Sequence, residues 1–168
     1  MVQSSYLKGN TTKPNTNEEQ LNEIFCEAVS FDTSKNDYPI SLNGFHFHNT
    51  YVILFVTFGE GVNLVNHDEY EIKKNRIFFL NSNHTHTFHN VSCLKGIGVA
   101  FSDIFFTMIQ TMLADHIKYE IFNRNGKCMF CDVDMQNVNS LTNVLKDKVR
   151  FVYSLLSSLL IHLLKSWH

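Results

Sequence analysis

Proline is almost missing from this chain, with two residues in 168, and glycine is sparse at seven. Such scarcity excludes collagen-like and low-complexity architectures, which need both in quantity. An excess of charge of one sign is missing too: the net charge is −2, so nothing in the balance points to a nucleic-acid-binding surface. No hydrophobic run is long enough for a bilayer. The longest, Phe151 to Leu164, is broken by Ser154, Ser157, Ser158 and His162. The polar start, Met-Val-Gln-Ser-Ser-Tyr-Leu-Lys-Gly-Asn, lacks a secretory signal and predicts a cytoplasmic protein. Cysteines are few (Cys26, Cys93, Cys128 and Cys131), and without export they form no disulfide framework. Cys128 and Cys131 make a lone Cys-x-x-Cys, weak as a zinc signal because no second pair accompanies it.

Phenylalanine is abundant instead, with 15 residues, which suits a β-rich core. Residues 1–17 are polar and read as a loose arm, and Glu18 to Phe31 fits either a short helix or a strand. Asp32 to Pro39 reads as a loop. Strands then follow at short spacing. Phe45 to Phe58 is one long strand or two joined by a bend, and Gly59-Glu60-Gly61 turns the chain into Val62 to Val65. After Asn66-His67-Asp68 come Tyr70 to Ile72, Ile77 to Leu80, His84 to His89 and Leu94 to Phe101. Many short strands separated by turns predict a sandwich or barrel over 18–101.

The pattern changes after Phe101. Ser102 or Asp103 can cap a helix over Ile104 to Leu113, and Tyr119 to Val133 reads as irregular and turn-rich. A long helix is expected over about Asn137 to Trp167. Its residues Leu145, Val149, Val152, Leu156, Leu159 and Leu163 step as a heptad seam, and Phe151, Leu155, Leu160 and Leu164 add a second stripe. A helix apolar on two sides needs two partners. These are expected to be the barrel and the same helix of a second subunit, making 102–168 a helical dimerisation region.

Histidine carries the chemistry. His46 and His48 lie two apart on one strand, and His86 returns about forty residues later. Alternation that turns His46 and His48 inward carries Thr50, Val52, Leu54, Val56 and Phe58 with them. On the returning strand His86 carries His84 and Phe88 inward. Three imidazoles from two strands are a possible transition-metal set. Against metal stands a missing carboxylate. The spacing is similar to the cupin pattern, in which a Glu follows His-x-His. Here that slot falls on Val52 or Ile53, while Gly59 sits where the pattern has Gly. No nucleophile elbow, phosphate loop or His-Glu-x-x-His competes, and Asp132 with Asp134 reads as a loop or capping pair.

The ordered series resembles the N-terminal sensor and dimerisation domain of AraC-type bacterial transcription regulators. It comprises His46-Phe-His48, Tyr51, Gly59-Glu60-Gly61-Val62, Arg76-Ile-Phe-Phe-Leu80, His86 with Phe88, Leu94-Lys-Gly96-Ile-Gly98-Val-Ala-Phe101 and Ser102-Asp103. The likeness covers about residues 40–165 and departs from the family where Ser82-Asn83 stands in place of Pro-Gly. It implies an α+β protein, mainly β: a cupin-like double-stranded β-helix barrel followed by a long dimerisation helix. It implies a homodimer that binds an effector, needs no cofactor and catalyses nothing. DNA would be reached only through a helix-turn-helix region, which the final thirty residues do not supply. Set against the sugar-sensing relatives, Phe58 replaces a basic residue, Phe88 a tyrosine, and Gly96 and Gly98 large side chains. An apolar effector site of His46, His48, Phe58, His86, Phe88, Gly96 and Gly98, roomier near the glycines, follows from the resemblance. The alternative is a stand-alone cupin-type metal protein or enzyme using His46, His48 and His86.

Overall fold

The computed structural model describes residues 24–35, 44–110, 122 and 126–133. The proposed arm and the 137–167 helix with its seam lie outside the described residues. Among the described residues there are nine strands and one helix: β1 Cys26–Asp32, β2 His46–Phe47, β3 Tyr51–Phe58, β4 Gly61–Val65, β5 Asp68–Ile72, β6 Arg76–Leu80, β7 Thr85–His89, β8 Lys95–Phe101, α1 Asp103–Gln110 and β9 Met129–Asp132. They form two antiparallel sheets, one ordered β1-β8-β3-β6-β9 and the other β2-β7-β4-β5. The domain is mainly β, as expected. No helix among the described residues is long and apolar enough to cross a membrane.

The five-stranded sheet is buried on both faces, which explains why β3 (Tyr-Val-Ile-Leu-Phe-Val-Thr-Phe) and β6 (Arg-Ile-Phe-Phe-Leu) read as near-continuous apolar runs. One face packs Val52, Leu54, Val56, Phe78, Leu80 and Ala100 against Val65, Ile72 and Phe88 of the other sheet. The opposite face packs Ile53, Phe55, Ile77, Phe79, Val99 and Phe101 against Phe105 and Phe106 of α1 and against Phe122. Ser102 caps α1: its Oγ accepts the Phe105 N–H at 3.2 Å. At Asn66 the backbone takes a positive φ of 55°, the left-handed turn that closes the β4–β5 hairpin between Val65 and Asp68.

Two open readings are resolved and one expectation is corrected. Within Glu18 to Phe31, the residues from Cys26 on form strand β1, paired with β8 from Cys26↔Phe101 to Asp32↔Lys95. Of the two readings of Phe45 to Phe58, two strands joined by a bend is the one observed, and β2 and β3 belong to different sheets. The supposedly irregular stretch to Val133 contains β9, an edge strand on β6. Buried Arg76 ties it there, donating from Nε and Nη2 to the Asp132 carboxylate at 2.7 and 3.0 Å and lying 4.3 Å from the Phe130 ring centroid. Asp132 therefore anchors a strand.

Candidate functional site

Near the start of β3, strand β2, the bend after it and β7 bring three imidazoles together. His46 sits directly across from His86 in the β2–β7 pair, and His48 follows in the bend. All three are sealed from solvent, at 1%, 4% and 2% exposure. One candidate ligand atom from each lies within 4.8 Å of the others, and His48 Nε2 and His86 Nε2 are 3.1 Å apart. His86 Nδ1 faces Asn63 Oδ1 at 3.2 Å, and His46 Nδ1 faces the Gly44 carbonyl at 3.3 Å.

Those partners set the tautomers, since an amide oxygen and a carbonyl can only accept. Nδ1 carries the proton on His46 and on His86, so each Nε2 presents a lone pair. His48 Nε2–H donates to His86. His46 Nε2 and Asn63 Nδ2 are buried without a partner. An unpaired buried polar atom ordinarily costs about 1–3 kcal/mol. Burial holds His86 well below the ordinary 6.5, and the neighbouring His46, His48 and His84 lower it further. Burial also lowers His46, partly offset by the Gly44 carbonyl, and lowers His84, partly offset by the Gly126 backbone. Burial therefore favours the neutral form of His46 and His86, the form that keeps the lone pairs a metal needs.

Val52, at the slot where a carboxylate would fall, is buried in the apolar interior, and Ile53 faces the opposite core. Phe88 is on the inner face beside His86, with ring centroids 5.2 Å apart. Phe58 is not inside. A register shift between Val56 and Phe58 on β8 inserts an extra residue, breaks the alternation and leaves Phe58 54% exposed. Gly96 is buried but makes no room: a Cβ there would lie 2.2 Å from the Phe55 carbonyl oxygen and 2.5 Å from the Phe31 ring, which fills the space. Gly98 pairs with Val29 and Leu54 in the middle of the sheet.

A second feature escaped the sequence. At the far end of β3 an open cavity of about 470 Å³ is lined by Phe31, Asp32, Lys35, Thr57, Lys95 and Ile97, with Ser30 and Gly96 between them. Asp32 bonds Lys95 Nζ at 3.1 Å and lies 3.9 Å from Lys35 Nζ. The Ser34 hydroxyl and Lys95 hold its carboxylate down to about 2, and the pairing with Asp32 raises Lys95. The only sequence signal for this site is the Asp-Thr-Ser-Lys run after β1, where Ser34 N–H and Oγ–H both donate to Asp32. The Cys-x-x-Cys pair supplies no thiolate. Burial pushes Cys128 and Cys131 up to about 12, and Cys128 Sγ–H points at the Phe79 carbonyl oxygen at 3.5 Å.

Among the described residues, two facing antiparallel sheets with a buried histidine cluster and an open cavity make up a mainly β domain. The chain belongs to the AraC-like ligand binding domain family, whose model matches residues 29–113, half of its length. That family assignment agrees with the resemblance read from the sequence. No curated protein sequence matches. Among solved structures, ToxT from Vibrio cholerae O395 is similar at 11% identity and a TM-score of 0.50, covering 85% of this chain and 55% of that one. ToxT from Vibrio cholerae strain SCE256, bound to an unsaturated fatty acid, is similar at 11% identity and a TM-score of 0.51, covering 77% of this chain and 48% of that one. The chain spans about half the length of these structures, and identity this low establishes the fold alone.

Proposed function

We propose that this chain is the effector-sensing and dimerisation part of an AraC-type transcription regulator, acting in the cytoplasm and controlling DNA binding by a helix-turn-helix region. In this reading the two sheets close as a cupin-like double-stranded β-helix and perform no catalysis. The carrying observation is the cavity at the β1–β8–β3 end, whose lining residues all fall within the matched 29–113. Its volume lies in the range of small-molecule sites, roughly 300–1,000 Å³. Phe31 and Ile97 offer apolar walls, and Lys35 and Lys95 outnumber the single carboxylate of Asp32. That chemistry fits a small molecule with an apolar body and one anionic group. A fatty acid is what one ToxT structure holds; here the reading rests on the five side chains just named.

Calorimetric titration of the chain with aliphatic and aromatic carboxylic acids, their neutral amides and sugars tests this. The acids are expected to bind saturably, and Lys95→Ala should weaken them roughly tenfold through loss of one charge-assisted contact. Equal binding of acid and amide, a preference for sugars, or indifference to Lys95→Ala would contradict it. Dimerisation is assigned to the seam Leu145, Val149, Val152, Leu156, Leu159 and Leu163. Replacing Leu156 and Leu159 with Lys places two charges in an apolar interface. Sedimentation should then report a monomer, and unchanged mass would place the seam inside one subunit.

A further inference from the structure

We propose that His46, His48 and His86 form a zinc site, separate from the effector cavity and independent of the effector reading. The argument starts from what a purely structural histidine cluster would do. Buried imidazoles kept for packing find a partner for each ring nitrogen. Here His46 Nε2, on a residue 1% exposed, has none, and one ring nitrogen of His46 lies within 4.8 Å of one from His48 and one from His86. The outer nitrogens are occupied in the manner of a ligand set: Nδ1 of His86 on Asn63 Oδ1 and Nδ1 of His46 on the Gly44 carbonyl. Such contacts fix the tautomer that aims Nε2 at a metal.

On the tautomers fixed by these contacts, His46 and His86 each offer an Nε2 lone pair. The third is His48 Nε2, which donates its proton to His86. Moving that proton to the other ring nitrogen frees the lone pair with no change in charge, and the metal bonds then replace the His48–His86 hydrogen bond that is given up. The set also selects the ion. Three neutral imidazoles with no carboxylate suit zinc, which protein sites hold with three histidines and one open position. Magnesium and calcium need oxygen ligands, and none of the three supplies one. Zinc would here stabilise the fold at the β2–β7 edge, where β2 is held by two residue pairs, His46↔His86 and Phe47↔Thr85. Its open position would accept water or an anion from the interior.

The test is equilibrium dialysis of the chelator-treated chain against zinc chloride, with bound metal counted by mass spectrometry, followed by thermal melting with and without zinc. One zinc per chain and a higher melting temperature are expected. His46→Gln, which keeps the side-chain bulk, should weaken zinc at least about 100-fold and abolish the thermal shift. Asn63→Ala should weaken it by about 10- to 100-fold through the freed His86 ring. The exposed His67→Ala and His89→Ala should leave binding unchanged. Circular dichroism establishes that each variant is folded, and cobalt substitution reports the ligands independently of stability. Absence of stoichiometric zinc, uptake that survives in folded His46→Gln, or a cobalt spectrum with thiolate charge-transfer bands would overturn the proposal.

Discussion

The two ends of β3 solve opposite problems with the same scaffold. At the start, where β2 bends into β3, three imidazoles are shut away from water, and burial is the first cause of every lowered histidine there. At the far end Asp32, Lys35 and Lys95 line an open cavity, and hydrogen bonds and ion pairs dominate. Between them lies a wall of apolar side chains, Leu54, Val56 and Phe78 among them. A dry polar island favours neutral forms and lone pairs, whereas a wet rim favours full charges. The two ends therefore suit different chemistry, the proposed metal ion at one and the proposed small anion at the other.

The largest effect comes from breaking the wall. Phe78 is fully buried between the sheets, and Phe78→Ala should cost about 3–5 kcal/mol in urea unfolding. A loss below about 1 kcal/mol would mean that the two ends are not separated by a packed core. Next is the strap on the same sheet: Asp132→Asn removes the carboxylate that receives Arg76, with an expected loss of about 1–2 kcal/mol given its partial exposure. Unchanged stability would show that β9 is held by its ladder alone.

Acid sharpens the contrast between the ends. His46, His84 and His86 titrate below 6.5 when folded, so below that pH the unfolded chain binds more protons. Stability should therefore be full above 6.5 and fall as the pH drops below it, by roughly 1.4 kcal/mol per pH unit for His86 while it stays neutral. A flat unfolding midpoint between pH 7.5 and 5.5 would refute the neutral island. The Asp32 end should contribute nothing to that slope. Its carboxylate is lowered, so its stabilisation is present above 3.8 and is lost only as the pH falls toward about 2. This last effect is the smallest, because the lysine partners of Asp32 are exposed and solvent screens the pairs.

Much of this was legible in the residues. Turn residues and short apolar runs gave β4 to β8 in order, Ser102 announced α1, and His-x-His with His86 announced the cluster. Phe58 was misplaced because one bulge residue reverses all later parity, and a bulge leaves no mark in Val56-Thr57-Phe58. Gly96 was misread because a missing side chain looks like space until the partner is known, and its partner across the ladder is Phe31. β9 was missed because four residues are too few to show a period, and its anchor, Arg76, is 56 residues away. The cavity joins residues from β1, β3 and β8, a meeting that only the fold creates.

The division of labour between the two ends is tested most directly by mapping amide and imidazole NMR shifts while the chain is titrated with an apolar carboxylic acid that binds it. Saturating shifts are expected at Ser30 to Asp32, Thr57 and Lys95 to Ile97, with the His46, His48 and His86 rings unmoved. Shifts concentrated on those imidazoles, with Lys95 and Thr57 silent, would contradict the assignment of the effector to the open end.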